Sequence, residues 1–149
     1  MPLILFLGNP IYSDDRIGLI VGEKLKEKLE VEGFEVKILE RMGYTLIDYI
    51  AGHETVFVVD SIKGKVGEIV LIDNLEDLKI RFSKSPHYAG LPETIELMKA
   101  LNLSVPKKLV VIGIGVKEPY TISEKMSPEL ELMLDSIVER VYSIINGLE

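Results

Sequence analysis

Leu3-Ile4-Leu5-Phe6-Leu7-Gly8-Asn9-Pro10-Ile11-Tyr12-Ser13-Asp14-Asp15 opens the chain with an unbroken apolar run, a glycine, and a polar turn that carries two acids. A strand with no polar face has no side for water, so the run predicts a strand buried on both faces. Ile17, Ile20, Val21, Leu25 and Leu29 then recur on one stripe, while Glu23, Lys24, Lys26, Glu27 and Lys28 fall on the solvated side. That spacing predicts a helix over residues 14–30. Ser13 or Asp14 is placed to cap it, the early carboxylates complement its dipole, and Gly33 is placed to stop it.

The same alternation continues along the chain. Residues 34–39 alternate apolar and charged and predict a strand nearer an edge, and residues 44–51 predict a short helix through Leu46, Ile47 and Ile50. Residues 55–59 predict a second buried strand and residues 67–72 another, separated by the mobile-looking turn Lys63-Gly64-Lys65-Val66-Gly67. A helix over residues 91–101 (Ile95, Met98, Leu101) precedes a buried strand over residues 109–114. Ser127-Pro128, a cap followed by proline, opens a last helix whose stripe is Leu130, Leu134, Ile137, Val138, Val141 and Ile145. The predicted class is α/β, a three-layer α/β/α sandwich with a mostly parallel twisted sheet, in one domain over residues 1–149. In such sheets sites form beyond the carboxyl ends of the strands.

Composition narrows the function. The chain has 47% hydrophobic and 28% charged residues, an ordinary globular balance, and a net charge of −7. That charge argues against a duplex nucleic-acid partner, which needs Lys and Arg to neutralise phosphates, and favours a cation or basic peptide. The absence of Cys excludes disulfides and thiolate chemistry. Residues 3–7 are too short for a signal core, and no apolar stretch approaches the ~20 residues that span a bilayer, so a cytoplasmic protein without membrane insertion is expected. The absence of Gln beside many Glu and Lys is a bias associated with hyperthermophiles.

Three residues stand where such a fold would assemble a site. Asp15 follows the first strand, Asp60 ends the run Thr55-Val56-Phe57-Val58-Val59, and His87 sits in Ser85-Pro86-His87-Tyr88-Ala89-Gly90. Two carboxylates and an imidazole suit a borderline divalent metal such as nickel, zinc or manganese. Each also has a plain structural reading: Asp14-Asp15 as first-turn acids, Asp60 as a turn cap, His87 as a loop residue. His53 reads as structural or exposed. Spacing by itself does not bring the three together. Gly8 followed much later by Gly18 lacks the G-x-G-x-x-G that a dinucleotide site needs, so nucleotide binding is the weaker alternative. There is no HExxH and no G-x-S-x-G.

Taken together, these segments resemble the hydrogenase maturation proteases. The resemblance runs through the first strand into Gly8-Asn9, Asp14-Asp15-Arg16-Ile17-Gly18, Val59-Asp60-Ser61, Ser85-Pro86-His87-Tyr88-Ala89-Gly90-Leu91 with Leu97, Pro106-Lys107-Lys108-Leu109 into Gly113, and Met126-Ser127-Pro128-Glu129. It implies an endopeptidase that removes the C-terminal extension of a nickel-iron hydrogenase large-subunit precursor after nickel insertion. Asp15, Asp60 and His87 would be both the metal ligands and the catalytic residues, and the divalent metal would be nickel presented by the substrate. Asp14 would be a neighbouring or base residue, and Gly64, Gly67 and residues 82–90 would shape the groove for the tail. Arg16 departs from the glycine often found there and sets a bulky cation beside Asp15. Pro10-Ile11-Tyr12 and Ser61-Ile62-Lys63 also depart from the commonest loops. A non-catalytic module that senses metal or docks on a hydrogenase would need the same three ligands. The oligomeric state is not legible in the sequence.

Overall fold

The computed structural model describes residues 1–40, 43–82, 91–118 and 121–148. Its elements are β1 (Leu3–Gly8), α1 (Ile17–Val31), β2 (Glu35–Glu40), α2 (Ile47–Ile50), β3 (Thr55–Lys63), β4 (Ile69–Ile72), α3 (Leu75–Phe82), α4 (Leu91–Ala100), β5 (Lys108–Val116), α5 (Pro128–Leu132) and α6 (Leu134–Leu148). The strands form a five-stranded sheet in the order β2-β1-β3-β5-β4. Every neighbouring pair is parallel except β4 with β5. The mostly parallel three-layer sandwich expected from the sequence is therefore the observed fold.

Alternation along the strands divides the core in two. Ile4 and Phe6 of β1, Phe57 and Val59 of β3, and Ile112 and Ile114 of β5 pack with α1 and α6. Leu3, Leu5, Leu7, Val56, Val58 and Val111 face the other way, onto Leu46, Ile50, Leu78, Leu91, Ile95 and Met98 of the α2–α4 side. Two buried faces explain why β1 and β3 carry continuous apolar runs. β2 is an edge strand, and its mixed burial matches its alternating sequence.

Gly18 and Gly22 bring α1 down onto the sheet. A Cβ on Gly18 would lie 2.0 Å from Leu7 O and 3.1 Å from Val59 O, and one on Gly22 would lie 2.7 Å from the Phe6 side chain. The Gly18 clash is with main chain and cannot be relieved by a rotamer. Gly18→Ala should therefore destabilise by roughly 3 kcal/mol or more, the upper end for overpacking. Urea unfolding checks it. A midpoint equal to wild type would mean that α1 does not approach β1 this closely.

Several local expectations are revised. The predicted helix over residues 14–30 begins as a 3-10 turn, Asp14–Arg16, and neither Ser13 nor Asp14 caps it, because both side chains bond to distant residues instead. Its stop is as expected. Gly33 has φ +97°, and Phe34 N donates to Leu29 O at 3.1 Å, a left-handed closure that glycine adopts without strain. Ser127 caps α5 through Leu130 N at 3.4 Å, but the single final helix expected there is interrupted at Met133. Ile137, Val141 and Ile145 are buried all the same. Leu101 is 58% exposed, not core, because α4 ends at Ala100.

Residues 64–67 are tethered, not loose: Gly64 N donates to Val116 O and Gly67 N to Gly115 O. The helix α3 was not anticipated. Its signal is Asn74-Leu75-Glu76-Asp77, where Asn74 Oδ1 accepts from Asp77 N at 2.8 Å and Asn74 Nδ2 donates to Asp77 Oδ2 at 2.9 Å. The first bond is an Asn cap of the helix start, and the second braces the two side chains against each other.

The helices α3 and α4 pack against each other. Leu75 and Leu78 share a cleft of about 190 Å³ with Ile95 and Lys99, and Lys79 pairs with Glu96. That cleft lies against Leu109 and Val111 of β5. Among the described residues no helix is long and apolar enough to cross a membrane.

Candidate active site

The sheet order sets β1 beside β3, and the connection leaving β1 runs to β2 on one side while the connection leaving β3 runs to β4 on the other. At such a reversal, beyond the carboxyl ends of neighbouring strands such as β1 and β3, open α/β sheets bind ligands in a crevice. Asp15 arrives from the turn after β1. Gly8 makes the turn possible, since a Cβ there would lie 2.6 Å from Asp15 O, and Asn9 N closes it by donating to that oxygen at 3.3 Å. Asp60 arrives from β3. The strand does not end at Val59 as the apolar run suggested. Pairing with β1 ends there, while pairing with β5 continues through Asp60, Ser61, Ile62 and Lys63.

Ser61 joins the two acids. Its hydroxyl donates to Asp15 Oδ1, and its N–H donates to Asp60 Oδ1 at 2.8 Å. Asp15 is 1% exposed and Asp60 is 2% exposed. Two neighbouring carboxylates removed from water are costly unless partners answer their charge, and Ser61 supplies one hydrogen bond to each. Ser61 was legible only as a small residue after Asp60. Its role as the link spans 46 positions and had no signal in the sequence.

His87 lies outside the described residues, in the stretch 83–90. The helix that follows, α4, starts at Leu91. Among the described residues no group of three His, Asp or Glu side chains could hold a metal ion. His53 stands apart from Asp15 and Asp60. It precedes β3, at the opposite end of the sheet, with Nε2 3.3 Å from Glu35 Oε1.

The other two residues singled out beside Asp15 are structural. Asp14 is 4% exposed, and its Oδ1 accepts from Ser127 N at 2.7 Å while its Oδ2 accepts from Ser127 Oγ at 2.9 Å. It ties the turn to the start of α5 and is not turned toward Ser61. Arg16 spends its guanidinium on main-chain carbonyls: Nε on Tyr12 O and Ser13 O at 3.2 and 3.0 Å, and the two Nη atoms on Glu124 O and Ser123 O. The bulky cation at this position therefore serves as a strap between the Asp15 turn and residues 123–124.

The family model for hydrogenase maturation protease matches residues 19–144. This chain belongs to the hydrogenase maturation protease family. Membership implies a hydrolase, an endopeptidase of hydrogenase maturation. Asp60 and His87 fall inside the matched span, and Asp15 lies just before it. Among relatives, the chain is 25% identical to the hydrogenase 2 maturation protease of Escherichia coli, covering 99% of this chain and 93% of that one. The maturation protease HybD from Thermococcus kodakarensis superposes with a TM-score of 0.71 at 27% identity, over 96% of this chain and 97% of that one. The hydrogenase maturating endopeptidase HybD from Escherichia coli gives a TM-score of 0.77 at 23% identity, over 98% and 92% of the two chains. At that identity the last likeness speaks for the fold alone.

Proposed function

We propose that this protease removes the C-terminal extension of a nickel-iron hydrogenase large-subunit precursor after nickel insertion, and that it reads the metal through Asp15, Asp60 and His87. The observation that carries the reading is the pair of buried carboxylates joined by Ser61 in the β1/β3 crevice, in a chain of this family. Nickel is then part of the substrate, not a resident cofactor. Two carboxylates offset the cation's charge, an imidazole suits a borderline metal, and three ligands leave coordination for the substrate's own groups. Ser61 fixes one oxygen of each acid in advance, so docking needs little rearrangement of either. A divalent ion held beside the scissile bond would polarise its carbonyl or acidify a water. The work is assigned to the cytoplasm.

The experiment is to incubate the protein with nickel-loaded large-subunit precursor and weigh both. Loss of a C-terminal peptide is the expected result. A stable complex whose precursor keeps its full mass would instead establish a docking module that senses metal without cutting.

A further inference from the structure

Residues 11–13 and 121–123 form a short antiparallel ribbon beside the candidate site, centred on the pair Tyr12 and Ile122. Ser13 N donates to Thr121 O at 2.7 Å, and Ser123 N donates to Ile11 O at 3.2 Å. In this register Tyr12 and Ile122 turn their own N–H and C=O groups away from each other, toward the two outer edges.

Those edges differ. On one, Tyr12 N donates to Asn9 O at 3.3 Å and Tyr12 O accepts from Arg16 Nε at 3.2 Å, so both groups are used inside the chain. On the other, neither the N–H nor the C=O of Ile122 has a partner among the described residues, and its side chain is 76% exposed. Ile11 is 60% exposed on the facing segment. An uncharged apolar residue on an open strand edge is what proteins ordinarily avoid, because such an edge pairs with other chains.

This edge is also rigidly referenced to the crevice. Arg16 holds Ser123 O and Glu124 O, Ser13 Oγ donates to Lys125 O, and Asp14 holds Ser127. The residues doing the holding, Ser13, Asp14 and Arg16, lie within two positions of Asp15. A peptide paired with Ile122 would thus be kept in fixed register with Asp15.

Resting on the proposed function, we infer that the Ile122 edge takes part of the precursor's C-terminal extension as an added strand. Ile122 N–H and C=O supply the main-chain pair, and the exposed Ile122 side chain supplies an apolar contact. A second copy of this chain is the poorer occupant. Stable association needs on the order of 1,000 Å² of interface, and one open residue pair is far less. A tail already anchored through its metal needs only to be kept in line, since the second contact is then intramolecular.

Two variants of the full chain test this against nickel-loaded precursor. Ile122→Pro deletes an N–H that no described residue accepts from, and Ile122→Lys keeps that N–H but puts a charge on an exposed edge. Both should fold, with circular dichroism as the check. Ile122→Pro should raise KM about fivefold with kcat within about twofold of wild type, the signature of lost uniform binding. Ile122→Lys should raise KM by a similar factor and serves as the decisive variant if the proline form does not fold. A wild-type KM in the folded variants overturns the inference while leaving the protease reading intact. A wild-type protein that neither binds nor cuts the precursor overturns that reading, and this inference with it.

Discussion

Asp15→Asn, Asp60→Asn and His87→Ala should each cut processing of the nickel-loaded precursor by at least about 100-fold, because losing even the group behind a metal ligand typically costs about 10–100-fold in affinity. The two Asn variants are chosen to spare the fold. An amide oxygen can still accept from Ser61 Oγ at position 15 and from Ser61 N at position 60, so these two hydrogen bonds survive while the anionic charge goes. Mass measurement of the precursor reads activity, calorimetric titration with nickel reads metal affinity, and circular dichroism confirms folding. His53→Ala is the matched control, since His53 pairs with Glu35 at the far end of the sheet. Wild-type processing in the three ligand variants would dismiss the assignment. A large loss in His53→Ala would mean that the wrong histidine had been chosen.

Precursor that lacks nickel should stay uncut at enzyme concentrations that process the loaded form completely, and nickel added to the protease alone should not rescue it. Asp15, Asp60 and His87 are too few to close a structural site, which normally takes four protein ligands. Tight engagement then requires the substrate to bring the ion and the remaining ligands, so metal loading becomes a condition of docking. Parallel time courses on apo and loaded precursor decide the matter by gel shift or mass. Equal rates would leave a protease that reads the tail sequence and ignores the metal.

Much of the architecture was legible because its causes are local. The doubly buried runs of β1 and β3, the Ser127-Pro128 start of α5, the Gly33 stop and the edge character of β2 all follow from side-chain period and turn chemistry. Errors gathered where a residue had a distant partner. Ser13 and Asp14 looked like caps for the helix after β1, yet one bonds Lys125 O and the other Ser127, each more than 100 positions away. Arg16 looked like a charge intruding on Asp15 and is a strap to residues 123–124.

The sequence alone determined the residue types available for chemistry: no cysteine, few histidines, and acids just beyond two buried strands. Burial period and strand direction are written in neighbouring residues, so it determined the layered fold as well. Only the tertiary structure decided that Asp15 and Asp60 meet. That depends on β1 lying beside β3, on Gly8 letting the Asp15 carbonyl approach, and on Ser61 donating to both acids. Such contacts arise from sheet order and close packing between segments far apart in the chain, and no local pattern of polarity encodes them.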